Sequence, residues 1–268
     1  MIQLICFSRN RPLQLDGYLT SLSRMLDEPS LLDVSVIVRA DGEYRDAYAE
    51  VARAHPSVAM VAQKDFHADL TALVGARPFT CFGCDDVVFV RRFAARAIAD
   101  AFDERLFAFS LRLGRHVTRS MFSGPISPPP GLEERDGLLR WDLSTAHGAG
   151  DWGYSWELCG TVYPTELARA VIAELRAPSP NLLEAGGGGR WSSKTARRFM
   201  CAWPSARLVV PTVNVVQGDF ANPVLGGRSL EPRFLLDCWQ RGLRLDVEAF
   251  ARREYDCIHV PDFFLRRA

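Results

Sequence analysis

The sequence predicts an α/β fold: a single, largely parallel, Rossmann-like sheet with helices on both faces. Two observations carry that expectation. In the first third of the chain, four apolar runs of strand length alternate with helix-spaced stripes, and each run ends in a polar or charged cluster. Repeated strand–helix alternation implies parallel strands joined by crossover helices.

The elements follow in order. Residues 2–7 are a short apolar run bounded by polar residues, the pattern of a strand buried on both faces. In residues 13–26, Leu15, Leu19, Leu22 and Leu26 recur at three- and four-residue spacing, the stripe of an amphipathic helix. Residues 34–38 read as the second strand and residues 44–54 as the second helix, closed before Pro56. Residues 58–61 and 66–74 give the third strand and helix, and residues 79–83 the fourth strand, ending at Asp85-Asp86. Beyond Arg92 the pattern loosens. Residues 93–102 and 165–175 read as helices, and residues 106–111, 207–210 and 213–216 as strands. Residues 127–131 mark a loop, and residues 186–189, four glycines, a second and mobile one. Repeats and interdomain linkers are absent. One domain over residues 1–268 is expected, with a nucleotide-binding-like half (1–92) and an irregular half facing the acceptor (93–268).

Composition narrows the function classes. With 48% hydrophobic and 24% charged residues, the chain has the apolar content that intrinsic disorder lacks. Its 32 basic and 32 acidic residues cancel, so the broad positive field of a general nucleic-acid binder is missing. No apolar run approaches the ~20 residues that span a bilayer. The opening strand runs straight into Ser8-Arg9-Asn10-Arg11-Pro12, unlike a secretory leader, and a cytoplasmic address is expected. Seven scattered cysteines argue against a disulfide framework. Cys81 and Cys84 have C-x-x-C spacing without a second pair to complete a zinc site, so the thiols are expected to be buried and inert.

In open parallel sheets, ligands gather beyond the carboxyl ends of the strands. Those ends here are Ser8-Arg9-Asn10-Arg11-Pro12, Arg39-Ala40-Asp41-Gly42, Gln63-Lys64-Asp65 and Cys84-Asp85-Asp86. Cations beside acids at successive ends suit a ligand with anionic phosphates and a polar sugar. Asp85-Asp86 is the sharpest feature, because two adjacent acids between apolar runs repel each other unless a cation sits near them. Carboxylate oxygens suit hard divalent ions such as Mg²⁺ or Mn²⁺, which also bridge phosphate oxygens. An exposed turn capping the next segment is the other reading of the pair.

Residues 7–12, Phe-Ser-Arg-Asn-Arg-Pro, and the later Phe82-Gly83-Cys84-Asp85-Asp86-Val87-Val88-Phe89 together resemble the GT-A nucleotide-sugar glycosyltransferases, the second feature standing where that family has its DxD motif. Ser110-Leu111-Arg112-Leu113-Gly114, Asp151-Trp152-Gly153-Tyr154, Pro180-Asn181-Leu182-Leu183-Glu184 and Val213-Asn214-Val215-Val216-Gln217 extend the likeness to the bacterial majastridin-like group. The resemblance implies a metal ligand at Asp86, a ribose or sugar contact at Asp85, and a base or ribose contact at Asp41. It implies base or diphosphate contacts at Arg9 and Arg11, and a further metal ligand at His259. Cys84 stands where a first acid of a DDD would be, which leaves a catalytically weak or inactive relative open.

Ser8 joins Arg9 and Arg11 in the expected nucleotide site, and Lys64 adds electrostatic support. Residues 151–157 concentrate aromatics and acids in one loop. Aromatic faces pack on sugar rings, and an acid accepts a hydroxyl proton. Asp151 is the preferred general base, with Glu157 and Glu184 behind it. Trp152 and Trp156 either serve a sugar or cap the core.

The expected function is transfer of a sugar from a nucleoside diphosphate, UDP foremost, with Mn²⁺ or Mg²⁺. The acceptor is a hydroxyl on an unidentified sugar, lipid-linked group or protein. The rivals are a non-catalytic nucleotide- or sugar-binding module and a sugar-phosphate nucleotidyltransferase. Against the latter, residues 8–12 contain no glycine. The literal G-x-G-x-x-G at residues 148–153 follows no strand and marks no dinucleotide site.

Overall fold

In the computed structural model, which describes residues 1–188, 191–227 and 229–268, the first strand is buried along almost its whole length. This is β1 (Ile2–Arg9), and a strand covered on both faces has to be apolar throughout. Helix α1 (Pro12–Met25) starts with Pro12 in its first turn, where the missing N–H costs nothing, and buries Leu15, Leu19 and Leu22. Strand β2 (Leu32–Arg39), α2 (Arg45–Ala54), β3 (Ala59–Ala62), α3 (Phe66–Leu73) and β4 (Phe79–Cys84) complete the alternation. Asp65 caps α3, its Oδ1 accepting from the Ala68 amide at 2.7 Å.

The second half contributes β5 (Val88–Phe89), α4 (Ala95–Asp100), β6 (Leu106–Ser110), β7 (Arg119–Ser120), β8 (Gly124–Pro125), β9 (Glu133–Arg135) and β10 (Leu138–Asp142). It continues with β11 (Thr161–Pro164), α5 (Thr165–Leu175), α6 (Pro180–Gly187), β12 (Phe199–Ala202) and β13 (Leu208–Pro211). The chain closes through α7 (Pro232–Gln240), β14 (Leu243–Leu245), α8 (Val247–Ala251), β15 (His259–Val260) and β16 (Leu265–Arg267).

The nine-stranded central sheet has the order β3-β2-β1-β4-β11-β6-β12-β10-β9. Strands β3, β2, β1 and β4 are mutually parallel, while β11 and β10 run against their neighbours. The sheet is mostly parallel and flanked by helices, as the alternation implied. From β1 the chain builds outward to β2 and β3, then returns through α3 to place β4 on the other side of β1. The gap between the carboxyl ends of β1 and β4 is therefore the topological switch point, where this class of sheet leaves a crevice.

Two local expectations change, one open reading is settled, and one hairpin is added. Residues 213–216 form no strand: the Asn214 carbonyl accepts from Arg11 Nη2 and the Val213 carbonyl from the Leu230 amide, so the backbone serves side chain and loop. Gly186 and Gly187 lie in α6, held by the Ser179 cap at its start, and Gly189 falls outside the described residues. Trp152 and Trp156 are fully buried, with Trp156 4.5 Å from Tyr163 and Trp152 5.0 Å from Trp141; they cap the core and leave no face for a sugar. The added element is the β9–β10 hairpin, whose turn residues Asp136 and Gly137 have φ of +52° and +75°. Asp-Gly is the pair that such a turn prefers.

All seven cysteines are free, four buried and three half-buried. Among the described residues no helix is long and apolar enough to cross a membrane.

Gly83 fits β4 against α1. A Cβ there would clash with the hydroxyl of buried Tyr18. Gly83→Ala is expected to cost about 1–3 kcal/mol through overpacking, read as a lower urea midpoint with an unchanged m-value.

Candidate active site

The charged ends of β1 and β4 meet at the switch point. Asn10 turns the chain out of β1 with a φ of +52°, a left-handed conformation that Asn tolerates better than most residues. Its side chain holds Asp41, donating to Oδ2 at 2.7 Å and accepting from the amide at 2.9 Å. Arg11, next in the chain, is buried. Its Nη1 donates to Asp85 Oδ1 at 3.0 Å and to Asp86 Oδ2 at 2.9 Å, and its Nη2 to the Asn214 carbonyl at 2.8 Å. The cation required by the paired acids is thus supplied by the chain itself.

Asp85, 3% exposed, spends its other oxygen on Ser8 Oγ at 2.8 Å and the Arg9 amide at 3.2 Å. The Tyr48 hydroxyl completes the cluster, 2.6 Å from Ser8 Oγ and accepting from the Arg11 amide at 3.0 Å. Burial opposes the Arg11 charge, but Asp85 and then Asp86 outweigh it and lift the guanidinium above the ordinary arginine value. Burial also pushes the Asp85 carboxyl upward, against the pull of Arg11. Both Asp85 oxygens already accept from the protein, whereas Asp86 Oδ1 is buried with no hydrogen-bond partner among the described residues.

A cavity of about 660 Å³ opens over this cluster. Strand directions explain what else lines it. β6 runs parallel to β4, so Arg112, just beyond its carboxyl end, arrives at the same edge. β11 is reversed, so Glu157 and Cys159, which precede it, arrive there too. Arg112 is 4% exposed and lies 3.5 Å from Asp151 and 3.8 Å from Glu157, with its guanidinium over the Tyr154 ring at 5.7 Å. Burial works against its charge, and Glu157 and then Asp151 restore it, raising Arg112 above the usual value.

Glu184, on α6, accepts from the Tyr154 hydroxyl at 3.1 Å and from the Leu158 amide at 3.3 Å. Burial, then the nearby Glu157, push its carboxyl up to about 7, with Arg112 pulling back. His259, on β15, has Nδ1 3.0 Å from Thr212 Oγ1. Burial and then Arg112 push it down to about 4, against Asp151 and Asp86, so its imidazole is neutral near pH 7.

Of the expected site residues, Ser8, Arg9, Arg11, Asp85, Asp86, Asp151, Glu157, Glu184 and His259 line this one cavity. Asp41 and Lys64 do not. Asp41 is committed to Asn10; Lys64 is exposed beside the α3 cap, and its neighbour Gln63 lines the cavity instead. Arg112 and Tyr154 carried no expected role, although both lie in segments that the sequence singled out. The strand-end rule that flagged the first four strands also selects Arg112 once β6 is included. Among the described residues no group of three or more His, Cys, Asp or Glu side chains is placed to hold a metal ion.

No protein-family model matches the chain. Among curated proteins it is similar to the bifunctional glycosyltransferase pgtA of Dictyostelium discoideum, 23% identical over 184 residues, covering 60% of this chain. The match spans 24% of that relative's length. Among solved structures it is similar to S. aureus TarS, with 12% identity, a TM-score of 0.47, and 77% of this chain and 36% of that one covered. It is also similar to the mannosyltransferase PcManGT of Pyrobaculum calidifontis, solved with GDP-Man and Mn²⁺. There the identity is 17% and the TM-score 0.36, over 63% of this chain and 46% of that one.

Arg11→Met strands two neighbouring acids, one of them fully buried, and is expected to cost about 3–5 kcal/mol of stability, measured by chemical denaturation at pH 7. Glu184 sets a pH signature. Its folded value of about 7 lies above the ordinary 4.5, so its contribution to stability is complete below pH 4.5 and is lost as pH rises through 7. Glu184→Gln is expected to flatten the stability–pH curve over that window, seen in melting scans from pH 4 to 8.

Proposed function

We propose that this protein is a GT-A glycosyltransferase, of the majastridin-like group by its motifs, that transfers a sugar from a nucleoside diphosphate to an acceptor hydroxyl. One observation carries the reading. A single cavity at the switch point joins a cationic strand-end loop, suited to a diphosphate, with a carboxyl group whose pKa sits near neutrality. The sequence match to a glycosyltransferase supports the same class.

In this reading Arg9, which lines the cavity and whose Nε has no hydrogen-bond partner among the described residues, meets the diphosphate together with the edge of the Arg11 cluster. Ser8 and Gln63 line the nucleoside end. Asp85 has a different task from the one first expected: it pins the β1 loop to β4, so Arg9 and Arg11 are held in place before a ligand arrives. Glu184 is the general base, ahead of Asp151, because a pKa near 7 balances availability against proton affinity at neutral pH and Asp151 is engaged by Arg112. As the acceptor oxygen bonds to the anomeric carbon, the hydroxyl proton passes to Glu184. The bond from that carbon to the phosphate oxygen breaks, and its electron pair leaves with the diphosphate.

Two of the residues present carry atoms suited to a divalent ion. Asp86 Oδ1 is buried and unpartnered, and His259 is neutral with Nδ1 already engaged, which leaves Nε2 as the ligating nitrogen. Asp86 and His259 would hold Mn²⁺ or Mg²⁺. When bound, the ion supplies Lewis-acid stabilisation of the departing diphosphate.

A non-catalytic binder of the same donor is the second reading, favoured by Cys84 at the first acid position and by the full engagement of Asp85. Titration with UDP and Mn²⁺ followed by a donor-hydrolysis assay separates the two. UDP binding with slow hydrolysis is expected; binding without turnover of any donor removes the transferase. Asp86→Asn is expected to weaken Mn²⁺-dependent UDP binding about tenfold or more, and unchanged affinity removes the metal assignment. Glu184→Gln is expected to lower turnover by about 10²–10⁴ at constant donor affinity, and to abolish the ascending limb of the pH–rate profile near 7.

A further inference from the structure

We propose that the acceptor is a neutral saccharide, bound through its hydroxyls by Arg112, Asp151 and Glu157 and through a ring face by the aromatic rim of the cavity. This rests on the transferase reading for which end of the cavity faces the donor.

The first observation is a set of unsatisfied groups of both kinds. Arg112 Nε and Nη2, Asp151 Oδ2 and Glu157 Oε1 are buried and have no hydrogen-bond partner among the described residues. All three residues are more than nine-tenths buried, and all three line the cavity. Their mutual separations of 3.5 and 3.8 Å give attraction without hydrogen bonds. Leaving such groups unpaired costs about 1–3 kcal/mol each. A hydroxyl is the ligand group that repairs both kinds together, donating to a carboxylate oxygen and accepting from a guanidinium N–H. A phosphate or carboxylate ligand accepts only and would face Asp151, Glu157 and Glu184 across one arginine. An ammonium donates only and would leave the arginine N–H groups unpaired.

The second observation is independent of charge. Large apolar side chains are seldom left exposed in clusters, yet Phe122 (65% exposed), Phe220 (43%) and Tyr154 (37%) all line this cavity. Aromatic rings next to hydrogen-bonding side chains match a sugar, whose axial C–H groups give it an apolar face and whose hydroxyls give it a polar edge. A membrane lipid would be served by the rings but not by the acids, which repel an anionic headgroup.

The experiment uses the full chain on an immobilised panel of neutral oligosaccharides, alongside the same backbones carrying phosphate or carboxylate groups. UDP titration runs on the same sample. Neutral members are expected to bind at least about tenfold better than their charged counterparts. Tyr154→Ala and Asp151→Asn are each expected to reduce that signal about tenfold while UDP affinity stays constant. Equal or stronger binding of phosphorylated members overturns the inference, as does UDP binding with no neutral saccharide captured. Saccharide capture without UDP binding upholds the saccharide site and overturns the transferase reading instead. Because Asp151→Asn touches a buried ion pair, a cooperative melt accompanies it. Tyr154→Ala, at an exposed position, tests the same point if that melt fails.

Discussion

Everything at the mouth of the sheet depends on one buried ion cluster. Two adjacent carboxylates at the end of β4 would repel each other and resist burial, and Arg11 answers both with a single guanidinium nitrogen. The interaction is structural first. It stitches β4 to the loop after β1 and, through Nη2, to the backbone at Asn214. A loop that could otherwise wander is fixed at the point where the sheet divides. Preorganisation of this kind spares a binding site the cost of ordering itself around its ligand.

The same cluster shows why adjacent acids read differently in sequence and in space. By sequence, Asp85 and Asp86 are equivalent. In the fold, Asp85 faces inward and spends both oxygens on the protein, while Asp86 is a fifth exposed and keeps one oxygen free. The two acids sit in the turn that follows β4, closed by the Val87 amide on the Cys84 carbonyl at 3.1 Å, and the bonds from Ser8 and the Arg9 amide go to Asp85 only.

Much of the fold was legible because its signals are local. The four strands and three helices of the first third follow from apolar spacing, and their boundaries lie within about two residues of those expected. The switch point followed from the strand-end rule, which found Ser8, Arg9, Arg11, Asp85 and Asp86; Asp151, Glu157 and Glu184, expected on the acceptor side, and His259, implied by the resemblance, line the same cavity. What escaped was set by long-range partners. Trp152 and Trp156 sit among acids in sequence, and only the approach of Trp141, Tyr163 and Phe82 turns them into core. Residues 213–216 have strand composition, but their hydrogen bonds go to Arg11 and to Leu230. Asp41 and Lys64 stand at strand ends as expected, yet a side-chain bond from Asn10 and the exposed α3 cap keep them out of the cavity.

The reversed β11 has a bearing on how this chain can be divided. It lies between β4 and β6 and hydrogen-bonds to both. A cut after residue 92 would take away the neighbour of β4 and leave an apolar, unpaired border containing Cys81 and Phe82, the kind of edge that recruits other chains. The two halves are therefore poor cassettes for exchange. Exchanging only the loops around Phe122 and Tyr154 would leave that border covered by an intact sheet.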